Sequence, residues 1–189
     1  MGDEAEVFFK KGVAAFKQDN LKEAIYNYKK AINLNPNHFN AWRNLGFIFE
    51  KQNNFDDAIE SYHRALKINP RSDAVCFNLA NSYLNRNRLE EAIDFYSKAI
   101  KITPAYVKAW INLGMIYVKQ GKFEEALECN KKVNMLEPNF AMAWFNSGVI
   151  HEQLNEVEDA LKCYAKAEEL GHEGATRKIK ALKNIRDKI

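Results

Sequence analysis

Proline is scarce in this chain of 189 residues: Pro36, Pro70, Pro104 and Pro138 are the only four, and they are evenly spaced. Three cysteines, an odd number without tight spacing, exclude a secreted disulfide framework. Cys129 and Cys163 hold equivalent places in successive segments. Helices packed ~8–10 Å apart would hold them beyond the ~7 Å Cα limit for a bridge. Reduced thiols are expected, and with them a cytosolic or cytosol-facing protein. No apolar run approaches the ~20 residues that span a bilayer, so membrane insertion is not expected. The acidic start Met1-Gly2-Asp3-Glu4 lacks the basic and apolar regions of a secretory leader. It also lacks the Ser or Thr of a myristoylation signal. Charge of one sign is missing too. The formal total is +3, which points to no obligatory nucleic-acid partner. Six basic residues against Asp187 put the stretch from Ala175 onward at +5, leaving the remainder at −2.

What is present is periodicity. Moving the stretch from Phe39 to Pro70 along by 34 residues returns its skeleton of Trp42, Leu45, Gly46, Phe49, Ala58, Tyr62, Ala65 and Pro70. Ala24, Ala58, Ala92, Ala126 and Ala160 keep that step, as do Tyr28, Tyr62, Tyr96 and Tyr164. Self-similarity at this period marks an all-α helical solenoid of two-helix units. Five units are expected, at about 5–38, 39–72, 73–106, 107–140 and 141–174, forming a single array over the whole chain. Asp19, Asn53, Asn87, Gly121 and Asn155 stand at the end of each first helix. These residue types tolerate the left-handed conformation that closes a helix, so the series is a backbone requirement and not a ligand motif. Glu23, Asp57, Glu91, Glu125 and Asp159 open the second helices, where negative charge suits the N-terminus.

Departures from the pattern are few. Lys11 replaces the Leu of Leu45, Leu79 and Leu113, as befits a first repeat with no preceding neighbour. Ala80 replaces the usual glycine and should be tolerated at a tight helix contact. In the fourth repeat Asn130 and Val133 replace tyrosine and alanine. Asn130 calls for a hydrogen-bond partner if buried, and local repacking is expected there. The fifth repeat frays, with Ser147, His151 and Gly171-His172 off pattern. Residues 175–189 then form one more amphipathic helix, with Ile179, Leu182, Ile185 and Ile189 on its apolar face. Its expected role is to cap the open stack; a basic surface for anionic partners is the alternative.

No phosphate loop, paired Cys-x-x-Cys, His-x-x-x-His or nucleophile elbow occurs. His38, His63, His151 and His172 share no metal-ligand spacing, so no catalysis, metal or cofactor is expected. Trp42, Trp110 and Trp144 recur with the period as packing residues must, which argues against base stacking and a nucleic-acid partner.

The Trp, Leu-Gly and Tyr positions on one helix, then Ala, aromatic, Ala and Pro on the next, resemble the tetratricopeptide repeat (TPR) family. The resemblance covers about residues 5 to 172. It implies a right-handed superhelix of five helix-turn-helix repeats plus a C-terminal capping helix, with the first helix of each repeat lining a concave groove. Carried over by position, the groove series is Asn44, Asn78, Asn112 and Asn146, with Lys10 in repeat one. This resembles the asparagine ladder in the TPR superhelix of O-GlcNAc transferase, whose amides grip a peptide main chain. An amide both donates and accepts; the alternative role is capping or bridging neighbouring helices. Beside the ladder run three rows: Phe9, Arg43, Phe77, Ile111 and Phe145; Val13, Phe47, Asn81, Met115 and Val149; and Phe16, Glu50, Leu84, Val118 and Glu152. The largely apolar wall they imply suits an extended peptide or an amphipathic helix. Arg43, Lys108 and Lys119 could attract an acidic side chain. The chaperone-tail clamp of some TPR proteins is not matched: its places hold Phe9, Val13, Asn44, Ala74 and Asn78, and only Asn44 agrees.

The expected function is therefore a non-enzymatic scaffold for a protein or peptide partner. Two alternatives stand beside it. One is self-assembly, with the terminal helix of a second copy in the groove; the other is the targeting arm of a larger enzyme such as a glycosyltransferase.

Overall fold

The computed structural model describes residues 2–186, and all of its secondary structure is helical. Asp187, Lys188 and Ile189, the end of the expected capping helix, lie outside the described residues. The helices are α1 Gly2–Lys17, α2 Leu21–Leu34, α3 Phe39–Lys51, α4 Phe55–Ile68, α5 Asp73–Asn85, α6 Leu89–Ile102, α7 Val107–Lys119, α8 Phe123–Leu136, α9 Ala141–Gln153, α10 Val157–Glu169 and α11 Ala175–Arg186. They fall into two compact units, Met1–Pro104 and Ala105–Ile189. Within each unit, every helix packs on its neighbours in the chain, and α3 also touches α5.

The turns form where the sequence places them. Asp19, Asn53, Asn87 and Asn155 have φ between 56° and 60°, and Gly121 has φ 72°. Each is the left-handed residue that reverses the chain between the two helices of its repeat. The residue that follows caps the second helix: the Asn20 side chain accepts from the Glu23 backbone N–H at 3.3 Å. At the start of α6 the cap residue pairs by charge, the Arg88 guanidinium donating to Glu91 at 2.8 Å.

Small residues bring the paired helices close. Ala24, Ala58, Ala92, Ala126 and Ala160 are fully buried. Against the first helix stands the tyrosine of the second, and Tyr28, Tyr62, Tyr96 and Tyr164 are at most 1% exposed. The rings of Tyr28, Tyr62 and Tyr164 lie against Gly12, Gly46 and Gly148. A Cβ added to those glycines would sit only 2.6–2.7 Å from ring carbons. The absence of a side chain is thus what lets each ring in. At the chain's end, α11 packs on α10 through Ala175 and Leu182, with Ile179 against the same cluster.

Candidate functional site

The candidate residues lie on the first helices of the repeats: α1, α3, α5, α7 and α9. Their side chains are not all turned to one use. Of the row beginning at Phe9, three rings pack on the tyrosine of their own repeat: Phe9 on Tyr28 at 5.8 Å between centroids, Phe77 on Tyr96 at 5.6 Å, and Phe145 on Tyr164 at 5.3 Å. Arg43 bends over Phe39 and donates to the Asn44 carbonyl oxygen at 3.3 Å. Ile111 is half-buried, whereas Phe47 and Lys108 are exposed on α3 and α7.

The polar members of the rows meet the tyrosine hydroxyls. Tyr62 donates to Glu50 at 2.8 Å, Tyr96 donates to the Asn81 side chain at 2.5 Å, and Tyr164 donates to Glu152. Glu152 also holds Lys178 of α11 at 2.7 Å, which ties the last helix to the fifth repeat. Burial, then the nearby carboxylate, pushes the Tyr62 hydroxyl well above the ordinary phenol range. Burial raises the Glu50 carboxyl against the opposing hydrogen bond from Tyr62.

The asparagine series meets the same hydroxyls from the other side. The Asn44 amide donates to the Tyr28 hydroxyl at 3.2 Å, and a hydrogen bond from Asn78 reaches Tyr62. Asn112 is likewise engaged within the protein. The Asn44 and Asn78 contacts bridge successive repeats within the first unit and use one donor of each amide.

Asn146 has no tyrosine to meet, because the corresponding position in the fourth repeat is Asn130. Its side chain instead lines a cavity of about 480 Å³ among α7, α8 and α9. That volume lies in the range of small-ligand pockets. Gly114 is its floor and Met115, Val118, Phe140, Met142 and Asn130 are among its walls. Local repacking was the expectation here, and it is incomplete. A Cβ on Gly114 would meet the Cys129 Cβ at 3.2 Å and the Asn130 carbonyl oxygen at 3.7 Å, but no ring atom. Its rim is apolar and solvated: Met115 is 60% exposed, Met142 47%, Val118 40% and Phe140 37%. The sequence pattern pointed to Met115 among these but not to Phe140, Met142 or Asn130. The signal was the break in the tyrosine series itself.

Each of the four histidines has a local partner. His38 packs tilted against Phe9 at 4.7 Å between centroids, and His172 stacks on Phe145 at 4.0 Å. His63 lies 2.7 Å from the Tyr83 hydroxyl, and His151 lies 2.6 Å from Glu156. Among the described residues no three His, Cys, Asp or Glu side chains group as metal ligands, and no helix is long and apolar enough to cross a membrane. All three cysteines are free thiols. Burial pushes that of Cys129, beside the cavity floor, up to about 12.

Comparison with known proteins gives a consistent picture. A family model described as the tetratricopeptide repeat protein 21 C-terminal ARM domain matches residues 12–109. Two tetratricopeptide repeat models match residues 107–140 and 141–170. No curated protein matches in sequence. Among solved structures, the chain is similar to a MamA protein with 25% identity and a TM-score of 0.85, over 93% of this chain and 96% of that one. MamA from Desulfovibrio magneticus RS-1 shares the fold at 18% identity and a TM-score of 0.79, over 90% of this chain and 96% of that one. So does YrrB, described as a TPR protein with an unusual peptide-binding site, at 19% identity and a TM-score of 0.78, over 96% of this chain and 91% of that one.

Proposed function

The chain belongs to the tetratricopeptide repeat family, whose arrays present surfaces to protein partners, and from that premise we propose that it is a non-enzymatic scaffold binding an extended peptide or amphipathic helix on its first-helix face. The observation that carries this reading is the apolar rim of Met115, Val118, Phe140 and Met142 around a cavity in the second unit. Soluble proteins seldom leave such clusters in water without a partner. Methionine is suited to the task because its flexible, polarizable side chain moulds to varied surfaces. The Asn146 amide at the cavity wall supplies a donor and an acceptor for a peptide group. Asn44 and Asn78 already give one donor each to tyrosine hydroxyls and have less to offer. Lys108, exposed on α7 of the same unit, would favour a partner with an acidic residue beside its apolar ones.

The test is selection of binders from a displayed random peptide library, followed by calorimetric titration. Peptides whose footprint falls on α7 and α9, and which bind Asn146→Ala roughly three- to tenfold more weakly, are the expected result; that factor corresponds to one lost hydrogen bond. Binders that footprint only on the second helices, or no binders at all, would overturn the reading. Light scattering on the same samples checks the self-assembly alternative, which requires a mass that grows with concentration and falls when residues 175–189 are deleted.

A further inference from the structure

Three repeats share one construction: a tyrosine ring of the second helix resting on a bare glycine of the first. In repeats two and five the hydroxyl of that ring ends on a carboxylate of the first helix, Glu50 or Glu152. The fourth repeat keeps the glycine, Gly114, and has lost the ring to Asn130. It has also lost the hydroxyl's acceptor. Val118 stands where Glu50 and Glu152 do, and Met115 stands where Asn81 does. Ring and acceptor have gone together, and an apolar-walled cavity is left in their place.

We propose that this vacancy is a receptor for an aromatic side chain, specifically a phenyl ring, inserted by a partner peptide. The proposal rests on the reading of the first-helix face as the peptide side and adds what the peptide must carry. Aromatic rings fill the corresponding place in repeats one, two and five, each against the glycine that matches Gly114 in its repeat. Val118 in place of the carboxylate of repeats two and five favours phenyl over phenol, whose hydroxyl would keep only an amide partner such as Tyr28 has in Asn44. Two amides remain, Asn130 and Asn146. The half-buried Asn146 amide at the wall can pair with the main chain of the inserted peptide. Met115 and Met142 at the mouth supply sulfur, which makes favourable contacts with aromatic edges. The Cys129 Cβ, 3.2 Å from where a Cβ on Gly114 would stand, bounds the vacancy on one side.

The probe is N-acetyl-phenylalanine amide, one phenyl ring between two peptide groups, titrated into the isotope-labelled full chain and followed by amide NMR shifts. Saturable shifts centred on Gly114, Met115, Asn130 and Asn146 are expected. The tyrosine amide should bind more weakly and the alanine amide should give no saturable change. Asn130→Tyr restores the missing ring, so it should raise the melting temperature and weaken the probe about tenfold or more, the factor set by burial of one ring. Should that variant fold poorly, Met115→Lys, at an exposed position, offers an independent block at the mouth and should also lose the shifts. Absence of saturable shifts at these residues, or shifts that survive both variants, would overturn the proposal. So would the same shifts appearing on concentrating the protein alone, since the occupant would then be a second copy. Library-selected peptides that bind Asn130→Tyr as tightly as the unmodified chain would leave the scaffold reading standing and remove this one.

Discussion

Repeats two and four are built on the same frame and differ in what fills it. In repeat two, Tyr62 is fully buried, its ring lies on Gly46, and its hydroxyl is shared between Glu50 and Asn78. In repeat four the same glycine faces Asn130 and a cavity. One repeat uses its core tyrosine to bind its helices and its neighbour together. The other has released that place to the outside. A solenoid tolerates such a local change because each helix answers chiefly to its immediate neighbours.

Copying repeat four onto repeat two should show how much the ring contributes. Tyr62→Asn removes a fully buried aromatic side chain and leaves Glu50 and Asn78 without their shared partner. A loss of about 3–5 kcal/mol is expected, as for other large-to-small core changes. Urea unfolding measures it, and a loss under 1 kcal/mol would mean that neighbours can close the gap. A smaller contrast comes from the glycines. Gly46→Ala sets a methyl 2.7 Å from a Tyr62 ring carbon, and overpacking of this kind costs about 1–3 kcal/mol. Gly114→Ala meets no ring among its nearest atoms, which are Cys129 Cβ at 3.2 Å and the Ala126 and Asn130 oxygens at 3.7 Å, and the gain in helix propensity, up to ~1 kcal/mol, should offset the close contact. A clear loss for Gly46→Ala against little change for Gly114→Ala is the expected outcome of the two melting curves; equal losses would show that repeat four is as tightly filled as repeat two.

The smallest contrast is in pH. Burial raises the folded-state pKa of Glu50 above its unfolded value. The folded chain therefore binds more protons at this site, and the associated stability is present below the ordinary glutamate range and lost as pH rises through the raised value. Glu50→Gln keeps an oxygen for the Tyr62 hydroxyl and removes the charge. Its melting temperature relative to the unmodified protein should climb as pH rises from about 4 toward 7, starting from the usual glutamate value of ~4.3. Repeat four, with Val118 at this place, has no such dependence to remove, so Val118→Gln should give a difference that is flat with pH.

The frame was legible because its causes are local. Asp19, Asn53, Asn87, Gly121 and Asn155 could be picked out as turn residues, since a left-handed backbone admits few side chains. The buried alanines and tyrosines followed from the period alone. The asparagine series was legible as a position but not as a role. Whether Asn44 offers its amide to a ligand or to Tyr28 depends on the reach of a hydroxyl from the preceding repeat, which spacing does not encode. The same holds for Phe9, Phe77 and Phe145, which look outward by pattern and in fact lean on their own tyrosines. The cavity was announced only by an irregularity at Asn130. Whether side chains around a lost ring close in or stay apart is decided by packing, and no one-dimensional pattern states it.

The dependence of each helix on its chain neighbours also bears on how the protein is made. Within each unit, no helix waits for a partner far along the sequence. A ribosome adds about 5–20 residues per second, so a 34-residue repeat emerges over roughly 2–7 seconds. Helices form in about a microsecond or less. Each repeat can therefore finish packing before the next has been synthesised, and within each unit the order of translation becomes the order of assembly.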